Sequence, residues 1–251
     1  MTLLQTQNLK KYFGDTRAVD DVDFVVSEGE LLSLVGANGA GKTTLVNLIS
    51  AYLEPDSGQI VFQGQDISRL HVADRIKAGI ARSFQLVNLF DDLSAFDNIA
   101  LSIFSREGKT RKLFALAEKD DEVTQEALDV LRQFGLESKR DTLAGGLAQG
   151  ERKLLDVAVA HALRPTLLFL DEPTSGVSTR DKAQIMDTIS SVVRDGKITA
   201  VIIEHDMDVV FKYSDRIVVM YEGKILADGS PEEIRQNSEV ATVLLGTPAS
   251  N

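Results

Sequence analysis

The segment GANGAGKT, at residues 36–43, constrains the fold of this chain more than any other feature. It fits the pattern GxxxxGK[ST], with the apolar run Leu31–Val35 before it and a helix-forming stretch, Thr43–Ala51, after it. Its glycines let the backbone turn tightly, so consecutive amides can point inward at an anion. The helix that follows places its positive N-terminal end at the same point. The pattern therefore predicts a phosphate-binding loop between a strand and a helix, with a purely structural glycine turn as the alternative.

A second element is TLLFLDEP, residues 166–173, which is an apolar strand ending in two carboxylates. Alternation along a strand directs neighbouring side chains to opposite sides, so the two acids can have separate tasks. Asp171 is the predicted Mg²⁺ ligand, directly or through water. Glu172 is predicted to orient and deprotonate an attacking water. Acidic strand ends are common in α/β proteins, so this element indicates a function only in combination with the phosphate loop. The phosphate loop by itself indicates a nucleoside triphosphatase or kinase.

The chain contains several short runs that are apolar on both alternations, as expected for strands buried on both faces of a parallel sheet. These runs are Leu31–Val35, Leu167–Leu170, Thr199–Ile203 and Ile217–Met220. Helical stretches follow three of them, at Thr43–Ala51, Arg180–Arg194 and Asp206–Tyr213. The alternation predicts an α/β fold, a phosphate-loop NTPase core with a mostly parallel sheet and right-handed crossovers.

Two other regions depart from this alternation. The N-terminus reads as an antiparallel hairpin around the turn GDTR, and residues 59–62 and 224–227 are predicted to extend that sheet; Phe13 and Phe24 are predicted core residues. Strand signals disappear between about residues 91 and 162, where residues 122–134 have helical spacing. We therefore predict one domain over residues 1–251, with a helical subdomain at 91–162 inserted between core segments at 1–90 and 163–251.

Composition limits the partners of this chain. The formal net charge is −11, which disfavours nucleic-acid binding, and there is no cysteine for disulfide or thiolate chemistry. No apolar run approaches the roughly 18 residues of a membrane helix, and the N-terminus lacks the layout of a signal peptide. We expect a soluble cytoplasmic protein that contacts a membrane only through partners.

In this order along the chain, the motifs resemble those of the ATP-binding cassette (ABC) family over nearly the whole length. Beyond the two elements above, they include Gln85 in RSFQ, LAQGE at 147–151 where the family has LSGGQ, TSGVS at 174–178 as the dimer-contact loop, and His205 in IIEHD. The resemblance implies nucleotide contacts from Tyr12, stacked on adenine, and from Gly36, Asn38, Gly39, Ala40, Gly41, Lys42, Thr43, Thr44, Gln85, Ala148, Gln149, Gly150 and Glu151. It implies Lys42, Gln85, Glu172 and His205 as catalytic residues and Thr43, Gln85 and Asp171 as Mg²⁺ ligands.

The family resemblance also implies ATP and Mg²⁺ as cofactors, a second cassette bound head to tail in a homo- or heterodimer, and transmembrane permease subunits as partners. Two positions depart from the family pattern. Ala148 replaces the signature serine, with Gln149 in place of a glycine beside it, and Ser178 stands where an aspartate is usual. A lost hydrogen bond to a charged group costs about 1.5–3 kcal/mol. Our hypothesis is that the isolated protein hydrolyses ATP slowly or dimerises weakly.

The segment ARSFQLVNLFDDLSAFDNIAL resembles the ATPases of branched-chain amino-acid importers, as do EHDM and SDRI further on. This implies an importer of branched-chain or other hydrophobic amino acids, peripheral on the inner face of the cell membrane, with residues 85–98 as the groove for the permease. The alternatives are an exporter ATPase of the lipopolysaccharide-transport type and a soluble regulatory module. DNA-repair cassettes carry a very long coiled-coil insertion between the phosphate loop and the acidic strand. That class is excluded because Asp171 lies only 129 positions after Lys42. A GTPase is disfavoured because the guanine-specifying motif NKxD is absent.

Overall fold

The computed structural model describes residues 1–83, 89–108, 120–196 and 198–245. They form two compact units, one made of residues 1–75 with the chain from 199 onward, the other of residues 76–198. The chain begins with β1 Thr2–Phe13, β2 Thr16–Val22, β3 Val25–Ser27, β4 Leu31–Val35, α1 Lys42–Ile49, β5 Ser57–Phe62, β6 Gln65–Asp66 and α2 Val72–Ala78. The second unit continues with β7 Ile80–Arg82, α3 Ala95–Arg106, α4 Asp121–Gln133, α5 Gln149–His161, β8 Leu167–Asp171 and α6 Thr179–Asp195. The chain then returns to the first unit with β9 Thr199–Ile203, α7 Met207–Tyr213, β10 Arg216–Tyr221, β11 Lys224–Gly229, α8 Pro231–Gln236 and α9 Ser238–Leu245.

The N-terminal strands form an antiparallel sheet in the order β2-β1-β5-β6, with β3 also paired to β1. The predicted hairpin and its extension by residues 59–62 are confirmed. Phe24 is buried as predicted, whereas the prediction for Phe13 is wrong because its side chain is 49% exposed. Phe13 ends β1 beside the turn at Gly14, where the strand leaves the core.

In the first unit, β4 lies between β9 and β10 and is parallel to both. All five residues of β4 and of β9 are buried, as the doubly apolar runs predicted. The prediction that residues 224–227 extend the N-terminal sheet is wrong, since β11 pairs antiparallel with β10. The turn between them explains this pairing: Glu222 and Gly223 both have positive φ, at 46° and 77°, the combination that closes a tight hairpin.

In the second unit, β7 and β8 pair in parallel. Helices α3, α4 and α5 pack through buried apolar side chains such as Phe104, Leu131 and Leu155. Between residues 91 and 162, the described part holds a single isolated bridge, Ser94–Leu143, and otherwise helices, as predicted. The fold class is thus confirmed as a phosphate-loop NTPase fold with an N-terminal antiparallel sheet and a helical region. The boundaries at 91 and 162 stay a prediction. None of the described helices is long and apolar enough to cross a membrane.

Candidate functional site

The predicted phosphate loop connects β4 to α1 and is wedged between two backbone segments of the first unit. At Gly36, with φ of 153°, an added Cβ would lie 2.3 Å from the Met220 carbonyl oxygen. At Gly41, with φ of 105°, it would lie 2.2 Å from the Ala18 carbonyl oxygen. Both distances are far below van der Waals contact, so only glycine fits at either position. The glycines therefore set the path of the loop between β10 and β2.

Lys42 is the first residue of α1 and is only 6% exposed. Its Nζ donates hydrogen bonds to the carbonyl oxygens of Gly36, at 2.6 Å, and Ala37, at 3.0 Å, so the ammonium spans the loop. Among the described residues no side chain caps the N-terminus of α1, and the first turn of this helix contains no acid. The first amides of the helix are therefore available to donate hydrogen bonds to an anion, and the Thr43 side chain is exposed beside them.

Tyr12 lies on the hairpin that abuts this loop. Its hydroxyl donates to Asp20 Oδ1 at 2.6 Å, and the Arg17 guanidinium lies 5.8 Å from the ring centroid. This hydrogen bond is the main reason that the pKa of Tyr12 is raised and that of Asp20 lowered. The hairpin is held near the loop by the close approach of Ala18 to Gly41. Tyr12 is thus a ring in a fixed orientation on the hairpin next to the phosphate loop.

His205 lies two residues beyond β9 and is exposed. Since Leu34 pairs with Ile203 in parallel register, the ends of β4 and β9 lie at the same sheet edge. The backbone N–H of His205 donates to the buried carboxylate of Glu204 at 2.9 Å, which fixes the chain where it leaves the strand. The first unit therefore brings His205 and the phosphate loop to one edge of its sheet.

The second unit holds the acidic strand end. Asp171 ends β8, is 5% exposed, and accepts a hydrogen bond at its Oδ2 from Arg82 Nη2 at 2.8 Å. Arg82 ends the neighbouring strand β7. Glu172, the next residue, is half-buried and has a positive φ of 48°, which is uncommon for a residue with a side chain. The two carboxylates thus differ in burial and in backbone conformation.

The signature segment LAQGE begins α5, with Ala148 as the N-cap residue and both Ala148 and Gln149 exposed. The Ala148 N–H donates to Glu151 Oε2 at 3.0 Å. This is one half of a capping box; the other half needs a side-chain oxygen, which alanine lacks. Lys139 forms a 3.0 Å ion pair with Glu151. The first turn of α5 therefore presents amides that no N-cap side chain occupies.

The predicted dimer-contact loop, residues 174–178, lies against this segment. Ser178 is the N-cap of α6, accepting from the Asp181 N–H at 3.3 Å, so it retains the capping function that an aspartate would have. A Cβ added to Gly176 would lie 2.5 Å from Gln149 Nε2, so the Gln149 side chain packs directly on this glycine. A cavity of about 330 Å³ lies between the starts of α5 and α6.

Gln85 lies outside the described residues. Sequence reasoning missed three side chains that contact predicted site residues: Arg82 on Asp171, Asp20 on Tyr12, and Lys153, whose ammonium donates to the Glu172 carbonyl oxygen. Arg82 is the first residue of the RSFQ motif, and its position three residues before Gln85 is the sequence signal that could have found it. No sequence signal pointed to Lys153, because its role depends on how α5 packs.

Comparisons with known proteins agree with this geometry. Residues 19–175 match the family described as ABC transporter. Similar proteins include the probable branched-chain amino acid transport ATP-binding protein LivG of Archaeoglobus fulgidus, 32% identical and covering 100% of this chain and 98% of that protein. The high-affinity branched-chain amino acid transport ATP-binding protein BraF of Pseudomonas aeruginosa is 33% identical, covering 97% and 98%. The ADP conformation of MJ1267, an ATP-binding cassette of an ABC transporter, superposes with a TM-score of 0.87 at 29% identity, covering 98% and 100%.

The matched residues span more than half of the chain, and two relatives above 30% identity span nearly all of it. This chain belongs to the ABC transporter family and is a nucleotide-binding ATPase subunit of that family. The resemblance stated from the motifs is confirmed.

Proposed function

We propose that this chain is the ATP-hydrolysing subunit of an importer for branched-chain or other hydrophobic amino acids. The observation that carries the nucleotide chemistry is the phosphate loop, with glycines packed against two backbones and the buried Lys42 ammonium spanning its carbonyls. The amino-acid class is supported by likeness over nearly the full length to LivG and BraF, whose names state that transport.

Nucleotide binding is assigned first to the first unit. The Tyr12 ring stacks on adenine, the amides from Gly36 to Thr44 surround the phosphates, and Lys42 neutralises the β- and γ-phosphates. Thr43 and Asp171 are hard oxygen donors of the kind that suits Mg²⁺, and Gln85 is assigned to the same ion. Asp171 fits this assignment because the hydrogen bond that it accepts from Arg82 reaches Oδ2, which leaves Oδ1 of the same carboxylate for the ion. Bound Mg²⁺ would offset the negative charge of the phosphates.

Hydrolysis is assigned to two further residues. Glu172 orients and deprotonates the attacking water, for which its partly exposed carboxylate is suited. His205 contacts the γ-phosphate from the sheet edge where the phosphate loop begins. In these assignments Glu172 acts on the water and His205 on the γ-phosphate, whereas Lys42 and the metal offset the charge on the phosphates.

The signature segment is assigned to a second cassette, bound head to tail as a homo- or heterodimer. Ala148, Gln149, Gly150 and Glu151 would face the γ-phosphate held by the partner's phosphate loop. The exposed start of α5 supports this, because its amides and positive dipole end suit an anion supplied from outside the chain.

Permease contact is assigned to the region of residues 85–98. In its described part, Phe90 is 62% exposed, and Leu143, whose backbone forms a bridge with Ser94, is 53% exposed. Two large apolar side chains at the surface of one unit suit a partner helix. We propose that the chain reaches the inner face of the membrane through such permease subunits, without nucleic-acid contacts.

Co-expression with candidate permease subunits tests this function. The proposal predicts that the permeases co-purify with this chain, and that ATP hydrolysis by the complex in vesicles rises when a binding protein loaded with leucine or valine is added. Hydrolysis stimulated by lipopolysaccharide, and not by any amino acid, would contradict the importer assignment and favour the exporter alternative.

A further inference from the structure

A buried lysine outside the sequence motifs lies next to the acidic strand end. Lys153 lies in the second turn of α5 and is 7% exposed. Its Nζ donates to the carbonyl oxygen of Glu172 and to Ser175 Oγ, each at 3.1 Å. Burying an ammonium is costly unless its protons are hydrogen-bonded, so these two oxygens determine where the side chain lies.

The segment that Lys153 holds is a tight turn. The Glu172 carbonyl oxygen also accepts from the Ser175 N–H at 3.1 Å, so residues 172–175 form a β-turn with Pro173 at its second position. The first residue of this turn is Glu172 itself, whose φ of 48° lies in the left-handed region. A side chain that bonds both ends of the turn stabilises this unfavourable conformation and thereby fixes the direction of the Glu172 carboxylate.

A second contact links the same two segments. Gln149, one turn before Lys153 on α5, packs on Gly176 immediately after the β-turn. Each of the first two turns of α5 therefore contacts residues 172–176: the first turn through the Gln149 amide that packs on Gly176, and the second through the hydrogen-bonded Lys153 ammonium. The signature segment and the turn bearing Glu172 are joined within one chain by these two side chains.

We propose that Lys153 is a positioning residue for ATP hydrolysis, holding Glu172 in its active orientation and joining it to the signature segment. This rests on the proposed function, in which Glu172 deprotonates the attacking water. Lys153 acts through the backbone of Glu172, so its loss lowers kcat. Nucleotide affinity, which we assign mainly to the first unit, stays unchanged.

The absence of cysteine from the chain allows a precise chemical rescue. Lys153→Met removes the ammonium and keeps an unbranched side chain. Lys153→Cys, alkylated with 2-bromoethylamine while unfolded and then refolded, restores an ammonium at the length of lysine. Arg132→Met is the matched control, because it removes a cation from the surface of α4. The Arg132 side chain is 55% exposed, and its ion pairs with Asp129 and Glu137 lie at the surface.

The measurements are kcat and KM for ATP hydrolysis, the Kd for ATP, and the thermal midpoint of each variant. We expect Lys153→Met to lower kcat roughly tenfold or more with less than about a twofold change in Kd, and aminoethylation of Lys153→Cys to restore kcat to within about threefold. Arg132→Met should behave as wild type.

A folded Lys153→Met variant with wild-type kcat would overturn the assignment, as would a loss of kcat that the restored ammonium does not recover. Wild-type hydrolysis that is insensitive to Glu172→Gln would instead overturn the proposed function itself, so the two failures are distinguishable.

Discussion

The phosphate loop and the signature segment are both helix starts for which we propose anion binding, yet they are built in opposite ways. The phosphate loop is locked by backbone contacts at Gly36 and Gly41 and by a buried lysine. The signature segment exposes Ala148 and Gln149, and the side chains of Glu151 and Lys139 hold its helix start. The first helix start is therefore preorganised within the chain, whereas the second presents its amides outward. This contrast fits the site shared between two cassettes that we propose.

The largest effect on stability should come from disrupting the close contact between the phosphate loop at Gly36 and the backbone of β10. Gly36→Ala places a Cβ 2.3 Å from a carbonyl oxygen that belongs to a buried strand and cannot move aside. We expect a loss of about 3 kcal/mol or more in the free energy of unfolding, measured by urea denaturation. Gly39→Ala is the control, since its Cβ meets no atom of the described residues within 4 Å and only the cost of positive φ, about 1 kcal/mol, applies. Equal losses in the two variants would show that the close approach is not what fixes the loop.

The next effect concerns the ring beside the loop. Tyr12→Ala should weaken ATP binding roughly tenfold, because an aromatic platform contributes about 1–3 kcal/mol per stacked base. Tyr12→Phe keeps the ring and loses only the bond to Asp20, so the Kd for ATP should change less than about threefold. Titration calorimetry with ATP compares the three proteins. If Tyr12→Ala bound ATP as tightly as wild type, Tyr12 would not contribute to nucleotide binding.

On the signature side, Ala148→Ser should have a smaller and opposite effect. A serine hydroxyl can complete the half-formed capping box at the start of α5, raising the free energy of unfolding by about 1 kcal/mol. The hydroxyl can also contact the partner's γ-phosphate, so ATP-driven dimerisation and hydrolysis should increase. Light scattering and phosphate release measure both, with Ala148→Gly as the control without a hydroxyl. Our hypothesis of weak intrinsic dimerisation fails if Ala148→Ser changes neither.

The smallest effect is a pH dependence at the far end of α5. Burial lowers the pKa of His161, although the negative charge of Glu126 acts in the opposite direction. Within the described structure, Nδ1 of His161 has no hydrogen-bond partner. The folded state therefore keeps His161 neutral while the unfolded chain takes up a proton below about pH 6.5. Its contribution to stability is complete above that pH and is lost as the pH falls through the lower folded pKa.

Urea denaturation between pH 7.5 and pH 5 measures this dependence. His161→Gln should give a flatter pH profile than wild type, whereas His71→Gln, which alters an exposed histidine, should leave the slope unchanged. A steeper profile for His161→Gln would mean that protonation of His161 stabilises the fold.

Local pattern was sufficient for the parts of the molecule that depend on near neighbours. Doubly apolar runs predicted β4, β8, β9 and β10, and the glycine spacing predicted the phosphate loop. Pattern failed for β11, where the turn at Glu222 and Gly223 decides the pairing, and for Phe13, which lies at the end of a strand.

The side chains around the acids could not be predicted for a different reason. Arg82 reaches Asp171 through the pairing of β7 with β8, and Lys153 reaches Glu172 through the packing of α5. Neither contact has a fixed spacing in the sequence, because each depends on which elements meet in the folded unit. Motifs therefore locate the candidate site, and tertiary packing supplies the residues that support it.

Phosphate release by Glu172→Gln is the sharpest test of whether Glu172 activates water in this ATP-hydrolysing cassette. We expect this variant to bind ATP with wild-type affinity and to dimerise with ATP at least as strongly, while its turnover falls roughly 100-fold or more. Turnover by Glu172→Gln within about twofold of wild type, at equal ATP affinity, would show that Glu172 does not activate the water.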